Sequence, residues 1–104
     1  MTSNLNKKIF VVEDEPDIRE TLSYNLKQEG FKVSEFSDAE SCINKIKEKK
    51  PELIILDLML PGMSGLDLCK LIKSDKELEN ISIIMLTAKS EEIDRIVGFE
   101  LGAD

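Results

Sequence analysis

No histidine occurs anywhere in the 104 residues, so histidine-based catalysis by this chain is excluded. Cysteine is scarce too. Cys42 and Cys69 fall within helical patterns, with no framework spacing around them. Two such thiols, in a chain with no export signal, read as reduced cytoplasmic residues that pack as small apolar groups. No apolar stretch reaches the ~20 residues that span a bilayer, and Met1 to Asn6 is polar, without a signal-peptide core. Positive charge is in short supply: 14 Lys and Arg stand against 21 Asp and Glu, a net charge of -7. That balance argues against direct binding of nucleic acid or an anionic membrane by this segment, and fits a positively charged partner or a metal ion. Internal repeats, low-complexity tracts and linkers are also missing. A length of 104 residues, 41% hydrophobic and 34% charged, suits one globular domain over residues 1–104, not two.

What is present is an alternation of short apolar runs and amphipathic stretches. Ile9-Phe10-Val11-Val12 and Leu53-Ile54-Ile55-Leu56 are unbroken apolar runs of strand length, and Ile81 to Leu86 is a further one. Such runs read as strands covered on both faces, as inside a parallel sheet. Phe31, Val33 and Glu35-Phe36 alternate instead, which suggests an edge strand with one wetter face. Pro16 suits the first turn of a helix, Ile18, Leu22 and Leu26 recur four apart on one face, and Gly30 supplies the C-cap. Ser37-x-x-Glu40 reads as a capping box for a second helix with Ala39, Cys42, Ile43 and Ile46 inward, ended by Pro51. Ser64-x-x-Asp67 opens a third, from about Ser64 to Ser74, with Gly65, Cys69 and Ile72 inward; Asp75 to Asn80 reads as a polar loop. Ser90 caps a last helix with Ile93, Ile96, Val97 and Leu101 inward, closed by Gly102. The order β-α-β-α-β-α-β-α predicts an α/β fold, a parallel sheet with helices on both faces and all strand carboxyl ends at one edge.

That edge is where ligand chemistry collects in open α/β sheets. Glu13-Asp14 ends the first strand and Asp57 the third. If those strands are neighbours, three carboxylates converge. Two bare charges ~5 Å apart repel by about 3 kcal/mol at an effective dielectric of ~20, so three need a counter-charge. A hard divalent cation with oxygen ligands, Mg2+, is the natural one. Asp57 is then either a ligand only or a nucleophile that accepts a phosphoryl group. Thr87, after the fourth strand, offers a hydroxyl to a phosphoryl oxygen, and the following backbone N–H groups add donors. Each residue also has a plainer reading: Asp57 as a turn former, Asp14 or Glu15 as an N-cap beside Pro16, Thr87 as a helix cap. Taken together the plain readings weaken, because the three features fall on three strands at one edge.

These residues resemble a known family. Val11-Val12-Glu13-Asp14-Glu15-Pro16, Leu56-Asp57-Leu58-Met59-Leu60-Pro61-Gly62-Met63-Ser64-Gly65, Ile84-Met85-Leu86-Thr87-Ala88 and Gly102-Ala103-Asp104 look like the receiver domain of two-component response regulators, with wording closest to the OmpR/PhoB type of DNA-binding regulators. The resemblance implies a flavodoxin-like sheet in the order 2-1-3-4-5. It implies that Asp57 accepts a phosphoryl group from a phosphohistidine on a sensor histidine kinase. It implies that Glu13, Asp14, Asp57 and the backbone carbonyl of Met59 bind Mg2+, and that Thr87 moves to contact the phosphoryl group; the Ala88 N–H is the first of the backbone donors that follow Thr87. The family continues with a fifth strand, a switch aromatic, a phosphate-pairing lysine and a fifth helix, and none of these can be assigned here. The expected sheet is therefore 2-1-3-4, with a bared fourth strand that invites self-association or exchange of elements between copies. Light scattering over a range of concentrations checks that expectation, and a monomer throughout contradicts it.

The competing functions fare worse on the residues. An aspartyl-phosphate phosphatase of the haloacid-dehalogenase kind needs an acid two residues after its nucleophile, and Met59 stands there. A flavin or nucleotide binder needs a phosphate-cradling loop after the first strand, where Glu13-Asp14-Glu15-Pro16 stands instead, so no small-molecule cofactor is expected. A phosphorylation-independent docking or dimerisation module is the remaining alternative; the intact acidic set speaks against it in a longer parent, while the unassigned fifth strand keeps it open for this chain. The chain therefore reads as a cytoplasmic phospho-accepting switch and not a turnover enzyme, with transcription regulation as the output of a longer parent.

Overall fold

The computed structural model describes residues 7–86. In chain order these form β1 (Lys8–Val12), α1 (Pro16–Gln28), β2 (Lys32–Phe36), α2 (Ala39–Lys49), β3 (Leu53–Asp57), α3 (Gly65–Lys73) and β4 (Ser82–Leu86). The four strands make one sheet in the order β2-β1-β3-β4, and every pairing is parallel. This is the order expected above. The helix expected from Ser90 to Gly102, together with Thr87 and Ala88, lies outside the described residues.

The apolar runs do what their period requires. Successive side chains along a strand point to opposite faces, so β1 splits its run. Phe10 and Val12 join a large core with Ile54, Leu56, Ile83 and Met85 from the sheet, Ala39, Cys42 and Ile46 from α2, and Leu68, Cys69 and Ile72 from α3. Ile9 and Val11 face the other way, with Ile55, under Leu22 and Leu26 of α1. The alternating segment β2 is the sheet edge, and none of its five residues is fully buried. Burial alone drives the Cys42 thiol from an ordinary 9.0 up to about 12, and burial also raises Cys69, so neither behaves as a thiolate in neutral solution.

Helix ends decide where the strands start. Pro16 occupies the first turn of α1. At the other end Gly30 adopts φ +98°, where a side chain would be strained. The Gly30 amide donates to Lys27 O at 3.0 Å and the Phe31 amide to Leu26 O at 3.2 Å. That paired arrangement is a Schellman closure, and it delivers Phe31 onto the same apolar cluster as Leu26. Ser64 caps α3, its hydroxyl accepting from the Asp67 amide at 3.1 Å.

Two expectations need correction. The second helix is not capped by Ser37. Asp38 is its N-cap, with extended backbone and a carboxylate that accepts from the Ser41 amide at 2.8 Å. A charged acceptor at a helix N-terminus outcompetes a hydroxyl one residue earlier, and the same hydrogen bond holds the Asp38 carboxyl below its usual range. The segment from Asp75 to Asn80 is not purely polar: Leu78 is fully buried in the large core, clamped by its amide's bond to Asp75 O at 2.9 Å. Leu68, too, packs inward from α3 beside the residues expected there.

Ser23 is the odd residue of α1. It is buried, and its Oγ has no hydrogen-bond partner among the described residues. An unmet buried hydroxyl costs about 1–3 kcal/mol, and alanine is the better helix former. Ser23→Ala is therefore expected to stabilise the chain by about 1 kcal/mol, seen as a shift of the thermal midpoint upward by several degrees; a downward shift would show that the hydroxyl has a partner in solution.

Candidate functional site

The carboxyl ends of β1 and β3 lie side by side, because Val12 registers with Leu56 in the parallel pair. One step further on, Glu13 and Asp57 must be neighbours, and Asp14 follows. The three carboxylates each bring an oxygen to within 4.8 Å of the other two. Glu13 and Asp57 are each 1% exposed and Asp14 is half-buried. At that separation each pair of charges repels by about 3–4 kcal/mol at an effective dielectric of ~20.

The backbone holds this cluster from several sides. The Glu13 amide donates to Phe36 O of β2 at 3.0 Å. Glu13 Oε2 accepts from the Glu15 amide at 2.9 Å, and the Glu13 carbonyl accepts from Arg19 Nη1 at 2.9 Å. On β3, Asp57 Oδ1 accepts from the Met59 amide at 3.1 Å, and the Leu58 amide donates to Leu86 O at 3.0 Å. Met59 thus orients the Asp57 carboxylate through its N–H, while its side chain is 58% exposed beside the cluster. Across the sheet, Asp57 registers with Leu86 of β4, the last described residue; Thr87 and Ala88 lie beyond it, outside the described residues.

Two residues at the site were not singled out by the sequence pattern. Arg19 follows Ile18 on α1, where helical period marks it only as polar, yet it reaches the Glu13 carbonyl and, through Nε, Glu35 Oε1 at 3.4 Å. Gly65 was expected only to face inward. It starts α3 so close to β3 that a Cβ there would run into the Asp57 carbonyl oxygen and come within 2.8 Å of Leu56 Cδ1.

The donor set suits a hard cation. All three groups offer carboxylate oxygen, with no sulfur or imidazole, and their span is near the ~4.2 Å between opposite oxygens on one magnesium ion. Buried like charges at this spacing favour a cation that offsets them.

The model of the response regulator receiver domain family matches residues 9–104. The chain belongs to that family. Curated relatives agree. The receiver domain is 47% identical over 100 residues to the alkaline phosphatase synthesis transcriptional regulatory protein PhoP of Bacillus subtilis, and 46% identical over 98 residues to the phosphate regulon transcriptional regulatory protein PhoB of Escherichia coli. These matches cover 96% and 94% of this chain but 41% and 43% of those proteins, so the chain spans about two fifths of the relatives' length. Among solved structures it resembles the chemotaxis response regulator CheY4 of Vibrio cholerae, with a TM-score of 0.80 and 26% identity over 94% of this chain and 82% of that one. It also resembles the response regulator TrrA of Thermotoga maritima in complex with Mg2+-BeF, with a TM-score of 0.73 and 39% identity over 82% of this chain and 72% of that one. The sheet order is thus that of a flavodoxin-like receiver domain, a signalling module of two-component systems, with three carboxylates gathered in an acidic pocket. No helix among the described residues is long and apolar enough to cross a membrane.

Proposed function

We propose that this receiver domain takes a phosphoryl group from a phosphohistidine of a sensor histidine kinase onto Asp57, and that Glu13, Asp14, Asp57 and the Met59 carbonyl hold Mg2+. The single observation that carries the reading is the convergence of three carboxylates, two of them buried, at the junction of β1 and β3. In the transfer, an Asp57 carboxylate oxygen attacks phosphorus, an O–P bond forms, and the P–N bond to imidazole breaks. The bonding pair returns to that nitrogen as a lone pair, and the imidazole protonated on its other nitrogen leaves neutral. A magnesium ion at the cluster supplies charge neutralisation for the incoming phosphoryl oxygens. The chain's own work is alignment: the Met59 N–H fixes the Asp57 carboxylate, and the Glu15 N–H fixes that of Glu13. The Thr87 hydroxyl and the Ala88 N–H contact the transferred group, and, from the family likeness, Thr87 turns toward it as the switch.

TrrA, a relative in fold at 39% identity, is seen with Mg2+-BeF, which supports the same chemistry here. Met59, Pro61 and Gly62 are exposed beside the acidic cluster, which supports this rim as the surface a kinase would meet. Cys42 and Cys69 are buried and not joined in a disulfide, which fits a reducing, cytoplasmic compartment. Because the similar proteins are transcriptional regulators more than twice as long, the proposed output is transcription regulation by a longer parent. Intact-mass spectrometry with acetyl phosphate and Mg2+ tests the acceptor. One labile phosphoryl adduct mapping to Asp57 is expected, and an adduct on another residue would overturn the assignment.

A further inference from the structure

We infer that Arg19 is a positioning residue for the metal cluster: its guanidinium holds the Glu13 main chain in the geometry that magnesium needs. The inference rests on the magnesium reading above and deepens it. Glu13 is gripped at three points. Its N–H is tied to Phe36 O on β2, its carboxylate to the Glu15 N–H, and its carbonyl to Arg19 Nη1. The first two grips come from neighbouring backbone. The third is the only one of the three supplied by a side chain, and that side chain is itself anchored. Arg19 is 18% exposed, its Nε lies 3.4 Å from Glu35 Oε1 on β2, and its amide donates to Glu15 O at 3.0 Å. One planar fork therefore joins α1, the turn after β1 and the edge strand β2, with the peptide joining Glu13 to Asp14 at its centre. That peptide sets where both acidic side chains leave the backbone. Rotating it moves two of the three carboxylates relative to Asp57.

Charge alone predicts the opposite effect. A cation near the cluster repels magnesium, so if Arg19 acted only through its field, removing it would tighten metal binding. Glu35 balances the Arg19 charge at close range, which leaves geometry as the larger effect. The two accounts thus differ in sign.

Partners that orient metal ligands cost about 10- to 100-fold in affinity when lost. Arg19 acts on a ligand's backbone, so the low end applies. Arg19→Met keeps the aliphatic stem and removes the fork. It is expected to raise the Mg2+ dissociation constant, measured by isothermal titration calorimetry, by about tenfold. Arg19→Met with Glu35→Gln, which is charge-balanced, should show the same loss. In acetyl phosphate labelling the Met variant should need about ten times more Mg2+ for half-maximal rate, yet approach the wild-type rate at saturation. A merely structural role would lower the thermal midpoint without moving that Mg2+ dependence. Unchanged or tighter Mg2+ binding in folded Met variants overturns the inference. Should they fail to fold, Arg19→Lys decides. An ammonium cannot hold the fork's planar geometry on both acceptors, so about a threefold weakening is expected, and none overturns the proposal. Wild-type protein and Asp14→Asn are run alongside. If the wild type binds no Mg2+, it is the metal reading that has failed.

Discussion

Asp57→Asn is expected to abolish the phosphoryl label and, in magnesium-free buffer, to raise the thermal midpoint by about 10 °C. The first effect follows from chemistry: an amide oxygen is not a nucleophile for phosphorus at neutral pH, while the shape of the site is kept. The second follows from charge. Asp57 faces two other carboxylates within 4.8 Å, and it is buried with Glu13. Each pair costs about 3–4 kcal/mol at an effective dielectric of ~20. Asp14 is half-buried, so water screens part of this, and a net gain of about 2 kcal/mol is a fair expectation. In a domain of this size 1 kcal/mol moves the midpoint by about 4–8 °C. The asparagine oxygen can still accept from the Met59 N–H, so that hydrogen bond is not the price of the exchange. Saturating Mg2+ should then reverse the ranking's cause. Wild type at a hundredfold excess over the dissociation constant gains about 2.7 kcal/mol, whereas the variant, short of one charge, gains little. Melts in EDTA and in Mg2+, followed by circular dichroism, show whether the two midpoints converge. A variant less stable than wild type in EDTA would mean that the cluster is not under electrostatic strain. A label that persists would mean that phosphorus sits elsewhere.

The sheet and the convergence of carboxylates were legible because they rest on periodicity and topology. Ile9 to Val12 and Leu53 to Leu56 have the length and unbroken apolar character of buried parallel strands, and their carboxyl ends carry Glu13-Asp14 and Asp57. Once β1 and β3 pair, the register leaves the acidic residues no other place. What could not be read depends on contacts between elements. Leu78 is a lone apolar residue in a charged segment, and no period marks it for the core. Asp38 and Ser37 both make good caps, and the choice between them is fixed by where α2 begins, a matter of one residue. Arg19 sits on the polar side of a helix pattern. Its role appears only when β2 is placed beside β1, which brings Glu35 to its fork. The plainer reading of Glu15 as the N-cap beside Pro16 is right in position but not in chemistry. Glu15 occupies the cap position of α1 but makes no side-chain capping bond.

Gly65 shows how a residue of no chemistry can control one that has it. In a helix, glycine to alanine ordinarily stabilises by up to about 1 kcal/mol. Here the sign should invert. A Cβ at Gly65 would overlap the Asp57 carbonyl oxygen and lie 2.9 Å from the Asp57 carbonyl carbon and 2.8 Å from Leu56 Cδ1. The side chain of Leu56 can turn aside. The carbonyl is held, because Asp57 registers with Leu86 of β4 and the Leu58 amide of the same peptide donates to Leu86 O at 3.0 Å. The start of α3 is equally fixed: the Gly65 amide donates to Leu58 O at 3.2 Å, and Ser64 caps the helix. Either α3 moves off the sheet or the Asp57 backbone rotates. Overpacking of this kind costs about 1–3 kcal/mol and occasionally more, and the fixed backbone on both sides places this case at the top of that range. Gly65→Ala is therefore expected to lose about 3 kcal/mol net, a fall in midpoint of more than 10 °C, and to weaken Mg2+ binding because Asp57 is displaced. Gly62 provides the control. It has φ +73°, and a Cβ there would lie no closer than 3.4 Å to the flexible Glu40 carboxylate. Gly62→Ala should cost only the ~1–2 kcal/mol of a left-handed alanine and leave the Mg2+ titration unchanged. If Gly65→Ala melts at or above the wild-type midpoint, α3 has freedom to retreat from Asp57, and the helix does not fix the acceptor strand.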